Sequence, residues 1–262
     1  KNPSVVEKIN AGENTIREEP GLAELIRRHG GKRLLATADT TEASKKSNVH
    51  VVIVPLFIDE MRQPDFSMIE SAARAIGRGL KKDDLVVMET TVPVGTTDGL
   101  LRKCIEEESG LKFPEFMLAC SPEYTMTGYT LSRFKEFQKI VGGSDKHSGD
   151  AAEKFYSAFC SKVVRVGSAR TAEFAKIAEG VYRDVNIAVA NELYKAAELL
   201  GADFWEARQA TRHKFCNILE PGNGVGGHCI PVYPHFILNA VRALGKDAPV
   251  IDAARRLNDS MA

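Results

Sequence analysis

The chain has 262 residues, 44% hydrophobic and 27% charged, with 35 Lys+Arg balanced by 35 Asp+Glu. That is an ordinary globular balance with enough apolar material for one large domain or two smaller ones, and it steers the chain neither to nucleic acid nor to an acidic membrane face. The longest apolar runs, such as Val49 to Ile58, are broken by residues like His50 and Pro55 and are too short to span a bilayer. Five scattered cysteines (Cys104, Cys120, Cys160, Cys216 and Cys229) form an odd set without CxxC spacing. They argue against a disulfide framework or a zinc site and for a reducing, cytoplasmic setting.

Residues 4–12 carry a helical pattern that stops at Gly12, with no signal-peptide character. Pro20 to Arg28 repeats the pattern ahead of Gly30-Gly31. Leu34 to Thr37 is a short strand candidate. Val49 to Val54 is β-branched and nearly continuous, which predicts a strand buried on both faces. A helix is predicted over 68–80, a buried strand over 85–89, a turn with Pro93 and Gly95, and a helix from Thr97 to about Glu108. Residues 116–120, 139–141 and 163–166 supply three more short strands. Strands alternating with helices predict a parallel sheet of βαβ units, whose ligands bind beyond the carboxyl ends of the strands. Three loops leave such ends: Pro55-Leu56-Phe57, Thr90-Thr91-Val92-Pro93 and Ser121-Pro122-Glu123. A cofactor is expected there.

After Gly167 the character changes. Residues 172–200 form one long helical stretch, the spine of a second, helical domain, with further helices over 204–212 and 233–244. The expected division is an α/β domain over 1–167 and a helical domain over 168–262. With no initiator Met and an unfinished helix over 255–261, the chain reads as part of a longer protein.

The stretch Glu220 to Cys229 is a glycine-rich loop leading to a cysteine. Closely spaced glycines let backbone approach a ligand and aim N–H groups at an anion. A cysteine beside such N–H groups can have its thiolate stabilised and act as a nucleophile. The plain alternative, a small buried hydrophobe, is kept for the other four cysteines. His228 is a candidate base for Cys229, although adjacent side chains rarely point at each other. By pattern alone Lys176 reads as a solvated lysine, and Glu123 as either a loop acid–base group or a solvated carboxylate.

Taken together, the motifs resemble the UDP-glucose/GDP-mannose dehydrogenase family over essentially the whole chain. They are Pro20-Gly21-Leu22, Glu89 to Thr97, Ser121-Pro122-Glu123, Gly142-Gly143, Lys176, Asn191-Glu192, Gly222 to Cys229 and Leu257 to Met261. The most specific is Gly224-Val225-Gly226-Gly227-His228-Cys229-Ile230-Pro231, and its histidine resembles the branch acting on UDP-N-acetylhexosamines such as UDP-N-acetylmannosamine. The resemblance implies a partial Rossmann-type sheet followed by a helical central, dimerising domain. It implies a four-electron oxidation of a sugar hydroxymethyl to a carboxylate by two NAD+. Cys229 would form a thiohemiacetal and then a thioester, and Lys176 would stabilise oxyanions. Thr91 would lie near nicotinamide and the catalytic water, and Glu123 would assist thioester hydrolysis. Pro55, Thr91 and Glu123 would contact NAD, and Lys176, Gly224, Gly226 and Gly227 the UDP-sugar. No metal is implied. The first strand with its glycine fingerprint would precede Lys1, and a UDP-binding domain would follow Ala262.

The chain also departs from the family pattern. Gly180 stands where Asn is usual, Tyr233 where Asp is usual, Leu56-Phe57 for Thr-Pro, and Tyr124 for Arg. These motivate a second reading, a non-catalytic relative that keeps the fold and dimer interface. A third is a thiol hydrolase using Cys229 and His228 without NAD.

Overall fold

The computed structural model describes residues 2–126 and 128–261. It divides into two compact units, Lys1–Leu56 with Phe66–Glu173, and Phe57–Asp65 with Phe174–Ala262. The sequence reading places one boundary near Gly167. In the structure the division falls a few residues later, and an internal hairpin is assigned to the second unit.

The first unit opens with α1 (Pro3–Asn10), whose N-cap Asn2 accepts from Ser4 N, and α2 (Leu22–His29). The expected strand over 34–37 does not form. Leu34 makes a lone bridge to Gly30, and the Asn10 side chain pairs with both the N–H and the carbonyl of Ala36 (2.8 and 2.9 Å). That amide takes the bonds a neighbouring strand would take. The short helix α3 (Thr40–Lys45) is capped by Asp39.

In chain order there follow β1 (Val49–Val52), the hairpin strands β2 (Phe57–Ile58) and β3 (Pro64–Asp65), α4 (Ser67–Gly77) and β4 (Leu85–Met88). A wide turn over 97–101, closed by Leu101 N to Thr96 O, leads into α5 (Arg102–Ser109). Then come β5 (Met117–Cys120), α6 (Thr130–Glu136), β6 (Lys139–Gly143), α7 (Lys146–Ser157) and β7 (Val163–Val166). The sheet order is β1-β4-β5-β6-β7.

Two expectations are corrected. The sheet is not wholly parallel, because β6 runs antiparallel to β5 while every other pair is parallel. Between β5 and β6 the described residues carry one short helix, α6, whose Phe134 packs on the core without the chain crossing back to run parallel to β5. Nor is β1 buried on both faces. Among the described residues His50 and Val52 are buried while Val51 and Ile53 are 37% and 70% exposed. By contrast β4 lies inside the sheet and is buried at all four positions. Its Val86 and Met88 pack in one core with Ile69 of α4 and Ile105 of α5, and its Leu85 and Val87 in another with Ala152 and Tyr156 of α7.

The long helix α8 (Ala169–Leu200) begins in the first unit and runs through the second. The second unit adds α9 (Phe204–Ala210), α10 (Tyr233–Ala243) and α11 (Pro249–Asp259). Asp184 of α8 and Arg255 of α11 form a buried ion pair, and Arg255 Nη2 also reaches Asp259 at 2.9 Å. The β2–β3 hairpin is tied in by Arg62, 3.1 Å from Asp259, and by the Asn239 amide donating to Arg62 O at 2.9 Å. A cavity of about 390 Å³ lies among Arg62, His235, Asn239, Arg242 and Arg255. No helix among the described residues is long and apolar enough to cross a membrane.

Burial, reinforced by the Arg62 and Arg255 charges, pulls His235 down to about 4. Its neutral form therefore contributes stability that is fully present above the ordinary histidine range, near pH 6.5, and is lost as pH falls toward 4. His235→Gln is expected to flatten the fall in urea-unfolding free energy over that window and to leave the slope above it unchanged.

Candidate functional site

The parallel strands β1, β4 and β5 pair so that Val52, Met88 and Cys120 stand in register. Their loops therefore leave the sheet at one level, and backbone bonds stitch them together. Glu89 N and Thr90 N donate to Val52 O, Ser121 N to Met88 O, and Glu123 N to Glu89 O, all between 2.9 and 3.2 Å. Thr90 Oγ1 adds a bond to Val54 O at 2.6 Å. Pro55, Thr91 and Glu123 thus come off adjacent loops at the carboxyl edge, where a parallel sheet takes its ligands. Pro55 is exposed, and Thr91 and Glu123 are half-buried.

Glu123 is held in place on both oxygens. One accepts from the N–H groups of Tyr124 and Thr125, both at 2.6 Å, and the other lies 3.2 Å from Lys139 Nζ. Burial pushes its carboxyl up, but the Lys139 charge and the two N–H groups outweigh burial and hold it below the usual carboxylate range. Lys139 itself is 5% exposed. Its ammonium also lies 3.0 Å from Glu89 and 4.8 Å from the Tyr156 ring centre, while Tyr156 donates its hydroxyl to Glu89 at 2.5 Å. Sequence reasoning missed this trio. The available signal was that Glu89 and Lys139 are charged residues at the ends of strands that are otherwise apolar.

A second carboxylate shapes the neighbouring loop. Glu173 accepts from Gly95 N, Thr97 N and Thr97 Oγ1 at 2.5, 2.8 and 2.6 Å, which fixes the turn after Val94. Burial raises its pKa, opposed by those same donors. Glu19 does a similar task at α6, accepting from the N–H groups of Gly128, Thr130 and Leu131. Neither was singled out from the sequence.

In the second unit the glycine loop is clamped at its start. Gly222 N donates to Asn191 Oδ1 (2.9 Å), Asn191 Nδ2 to Asn258 Oδ1 (3.1 Å), and Asn258 Nδ2 to Asp184 O and Oδ1 (2.9 and 3.0 Å). The motifs around Asn191 and Asn258 thus serve one purpose, which is to hold this loop. Gly224 has φ +105°, and a Cβ there would come within 3.3 Å of Asn258 O. Gly227 also has positive φ, whereas a Cβ at Gly226 would meet no protein atom within 4 Å. Packing therefore does not demand glycine at 226, whose bare backbone lies three residues before Cys229.

Cys229 is the exposed thiol, while Cys104, Cys120 and Cys160 are buried and Cys216 is half-buried. Its Sγ lies 3.5 Å from His228 Nδ1, so these neighbours do turn toward each other. Lys176 is not the solvated lysine of the bare pattern. Its side chain is 14% exposed, with Nζ 3.8 Å from Glu179 on the same helix. The two departures from the family pattern in this unit meet, since the Tyr233 ring packs directly on Gly180. Among the described residues no cluster of His, Cys, Asp and Glu could hold a metal.

Residues 1–160 match the NAD binding domain model of the UDP-glucose/GDP-mannose dehydrogenase family, and residues 170–260 its central domain. An NDP-N-acetyl-D-galactosaminuronic acid dehydrogenase from Ralstonia solanacearum is 39% identical over 99% of the chain, and a UDP-N-acetyl-D-mannosamine dehydrogenase from Campylobacter jejuni 36%. The chain covers 62% and 64% of those proteins. Among solved structures, the UDP-D-ManNAc dehydrogenase of Pyrococcus horikoshii superposes with a TM-score of 0.88 at 33% identity, over 99% of this chain and 61% of that one. The chain therefore belongs to the UDP-glucose/GDP-mannose dehydrogenase family and spans about three-fifths of the length of the relatives it matches.

Proposed function

We propose that the protein is an NAD-dependent nucleotide-sugar 6-dehydrogenase that converts the C6 hydroxymethyl of a UDP-N-acetylhexosamine to a carboxylate. The observation that carries this reading is Cys229, an exposed thiol at the exit of a glycine loop clamped by Asn191 and Asn258. The hexosamine class is supported by His228 before the thiol and by the names of the relatives above.

The residues at the carboxyl edge of the sheet suit a dinucleotide: three level strand ends, hydroxyl-bearing loops after β4 and β5, and a tethered carboxylate. Pro55, Thr91 and Glu123 would hold NAD there. When bound, NAD supplies the acceptor for two successive hydrides. The chain's own groups perform the rest. Lys176 offers a largely buried ammonium to the oxygen at C6, first as the alcohol loses its proton and then as charge builds on the tetrahedral oxygen. Such a donor to a developing oxyanion typically contributes on the order of 10²–10³-fold in rate. The Cys229 thiol adds to the aldehyde carbon to form a thiohemiacetal, which keeps the aldehyde in place and presents a second alcohol for oxidation. Loss of the second hydride leaves a thioester at Cys229. Water then hydrolyses it, with the Glu123 carboxylate accepting a proton and Thr91 orienting the water, and the thiol is regenerated. The balance is one alcohol, one water and two NAD+ giving one carboxylate, two NADH and three protons. Gly224, Gly226 and Gly227 would give the sugar nucleotide bare backbone to approach. The free cysteines suit a reducing, cytoplasmic setting.

We also propose a homodimer through α8. Tyr182, Val189, Leu193 and Leu200 are exposed along one 32-residue helix at spacings of seven and four, an apolar stripe.

Three outcomes are expected of the full-length protein. The wild type forms two NADH per sugar with a UDP-N-acetylhexosamine, followed optically, whereas Cys229→Ser forms no uronate; undiminished uronate from that variant would sink the mechanism. Lys139→Met removes the cation that holds Glu123 ionised, so the acid limb of the kcat–pH profile moves to higher pH. It also leaves Glu89 and Glu123 without their cation, and stability drops by about 3 kcal/mol, the scale for breaking a buried pair. Val189→Arg places a charge in the α8 stripe, and light scattering should then report half the wild-type mass; an unchanged mass would reject α8 as the interface.

A further inference from the structure

Gly180 lies in the interior of α8, where glycine is less favourable than alanine because it gives up more backbone freedom. Its φ is not positive, so backbone conformation does not require it. The reason is steric. Around a Cβ built at 180, Tyr233 Cγ and Cε2 are both 3.2 Å away and Cδ2 is closer than real Cβ contacts allow. All three lie along one edge of a rigid ring, which cannot swing aside as the tip of a long chain can. Tyr233 is buried and backed by Phe236, whose ring centre is 6.1 Å from its own and whose side chain is also buried. The ring is therefore held from both sides.

The same tyrosine is bonded to the thiol residue through the backbone. Tyr233 N and Val232 N both donate to Cys229 O at 3.1 Å, so the turn that carries Cys229 into α10 closes on residue 233. On the other side of the contact, Lys176 lies one helical turn before Gly180 and so shares its face of α8. One ring-on-glycine contact thus sets the register between the Lys176 turn of α8 and the Cys229 turn of α10.

We infer that Gly180 and Tyr233 form one interlocked pair, and that Tyr233 is a positioning residue for the Cys229 thiol. The two departures from the family pattern are then a single exchange of volume across one contact, small on α8 and large on α10. A side chain at 180 is accommodated only when the ring at 233 is gone. The functional part of this inference rests on the reading of Cys229 as the nucleophile, but its test does not require turnover.

The test uses the full-length protein and four variants: Gly180→Asn, Tyr233→Asp, the double variant, and Tyr233→Phe. Two quantities are read. One is the unfolding constant. The other is the rate of Cys229 alkylation by iodoacetamide as a function of pH, with the modified cysteine identified by mass spectrometry. Each of the first two single variants is expected to lower stability and to shift the alkylation profile of Cys229. The double variant is expected to be more stable than the product of the two single effects allows, by on the order of tenfold in the unfolding constant, as for residues in contact. Tyr233→Phe keeps the ring and is expected to keep the wild-type alkylation profile of Cys229. Additive single effects would overturn the interlock. Lowered stability with an unshifted alkylation profile would overturn the positioning role, and Tyr233→Phe behaving like Tyr233→Asp would transfer the role from the ring to the hydroxyl. None of these outcomes depends on nucleotide-sugar oxidation, so failure of the dehydrogenase reading would show separately as an absence of NADH.

Discussion

The buried side-chain amide of Asn258 is the point on which the thiol-bearing unit depends. It donates twice to Asp184, accepts from Asn191, and through Asn191 fixes the first N–H of the glycine loop. Asp184 is in turn paired with Arg255, about one turn before the end of α11, the helix that carries Asn258. Every member of such a network is out of water, so losing one strands the others, at about 1–3 kcal/mol for each group left unsatisfied. A glycine-rich loop loses more conformational freedom on ordering than other loops do. The network offsets that loss at one end, and the Cys229 turn closed by Tyr233 anchors the other.

The strand-end unit uses a different device for a similar end. Its loops are aligned by sheet register, but the Glu123 carboxylate is held by the ammonium of the buried Lys139. Lys139 is nearly inaccessible and is shared between Glu89 and Glu123, with the Tyr156 ring alongside. Tyr156 donates its hydroxyl to Glu89, and the N–H groups of Tyr124 and Thr125 add to the Lys139 charge at Glu123. The result is a Glu123 that stays ionised at neutral pH although partly buried. An ionised, immobilised carboxylate is suited to accept a proton from water and unsuited to donate one, which fits the hydrolytic role proposed for it.

The departures from the family pattern look less like scattered losses once the contacts are known. Gly180 and Tyr233 touch each other. Tyr124, at a position where arginine is usual, has its N–H taken by Glu123 and its carbonyl by Arg133 of α6 at 3.3 Å, so a guanidinium reaches that loop from another element. For the Leu56-Phe57 departure the structure gives no comparable compensation.

The sequence by itself determined what depends on local pattern or on the chemistry of a residue type. The alternation of strands and helices, the wholly buried β4 and the long α8 follow from apolar periodicity, which is set by the backbone geometry of each element. Cys229 stood out as a candidate because a thiol follows closely spaced glycines, whereas pattern alone left Glu123 open and the role of Thr91 came only from the family resemblance. What only the tertiary structure decided depends on neighbours far along the chain. Leu34 to Thr37 could not show that Asn10 would take its hydrogen bonds. The reversal of β6 is a matter of its pairing with β5, which the order of elements does not show. Lys139, Glu89, Glu173 and Asn258 were invisible as supports because a charge or amide gains that role only when folding removes it from water and sets its partner beside it, and spacing along a chain carries no record of that.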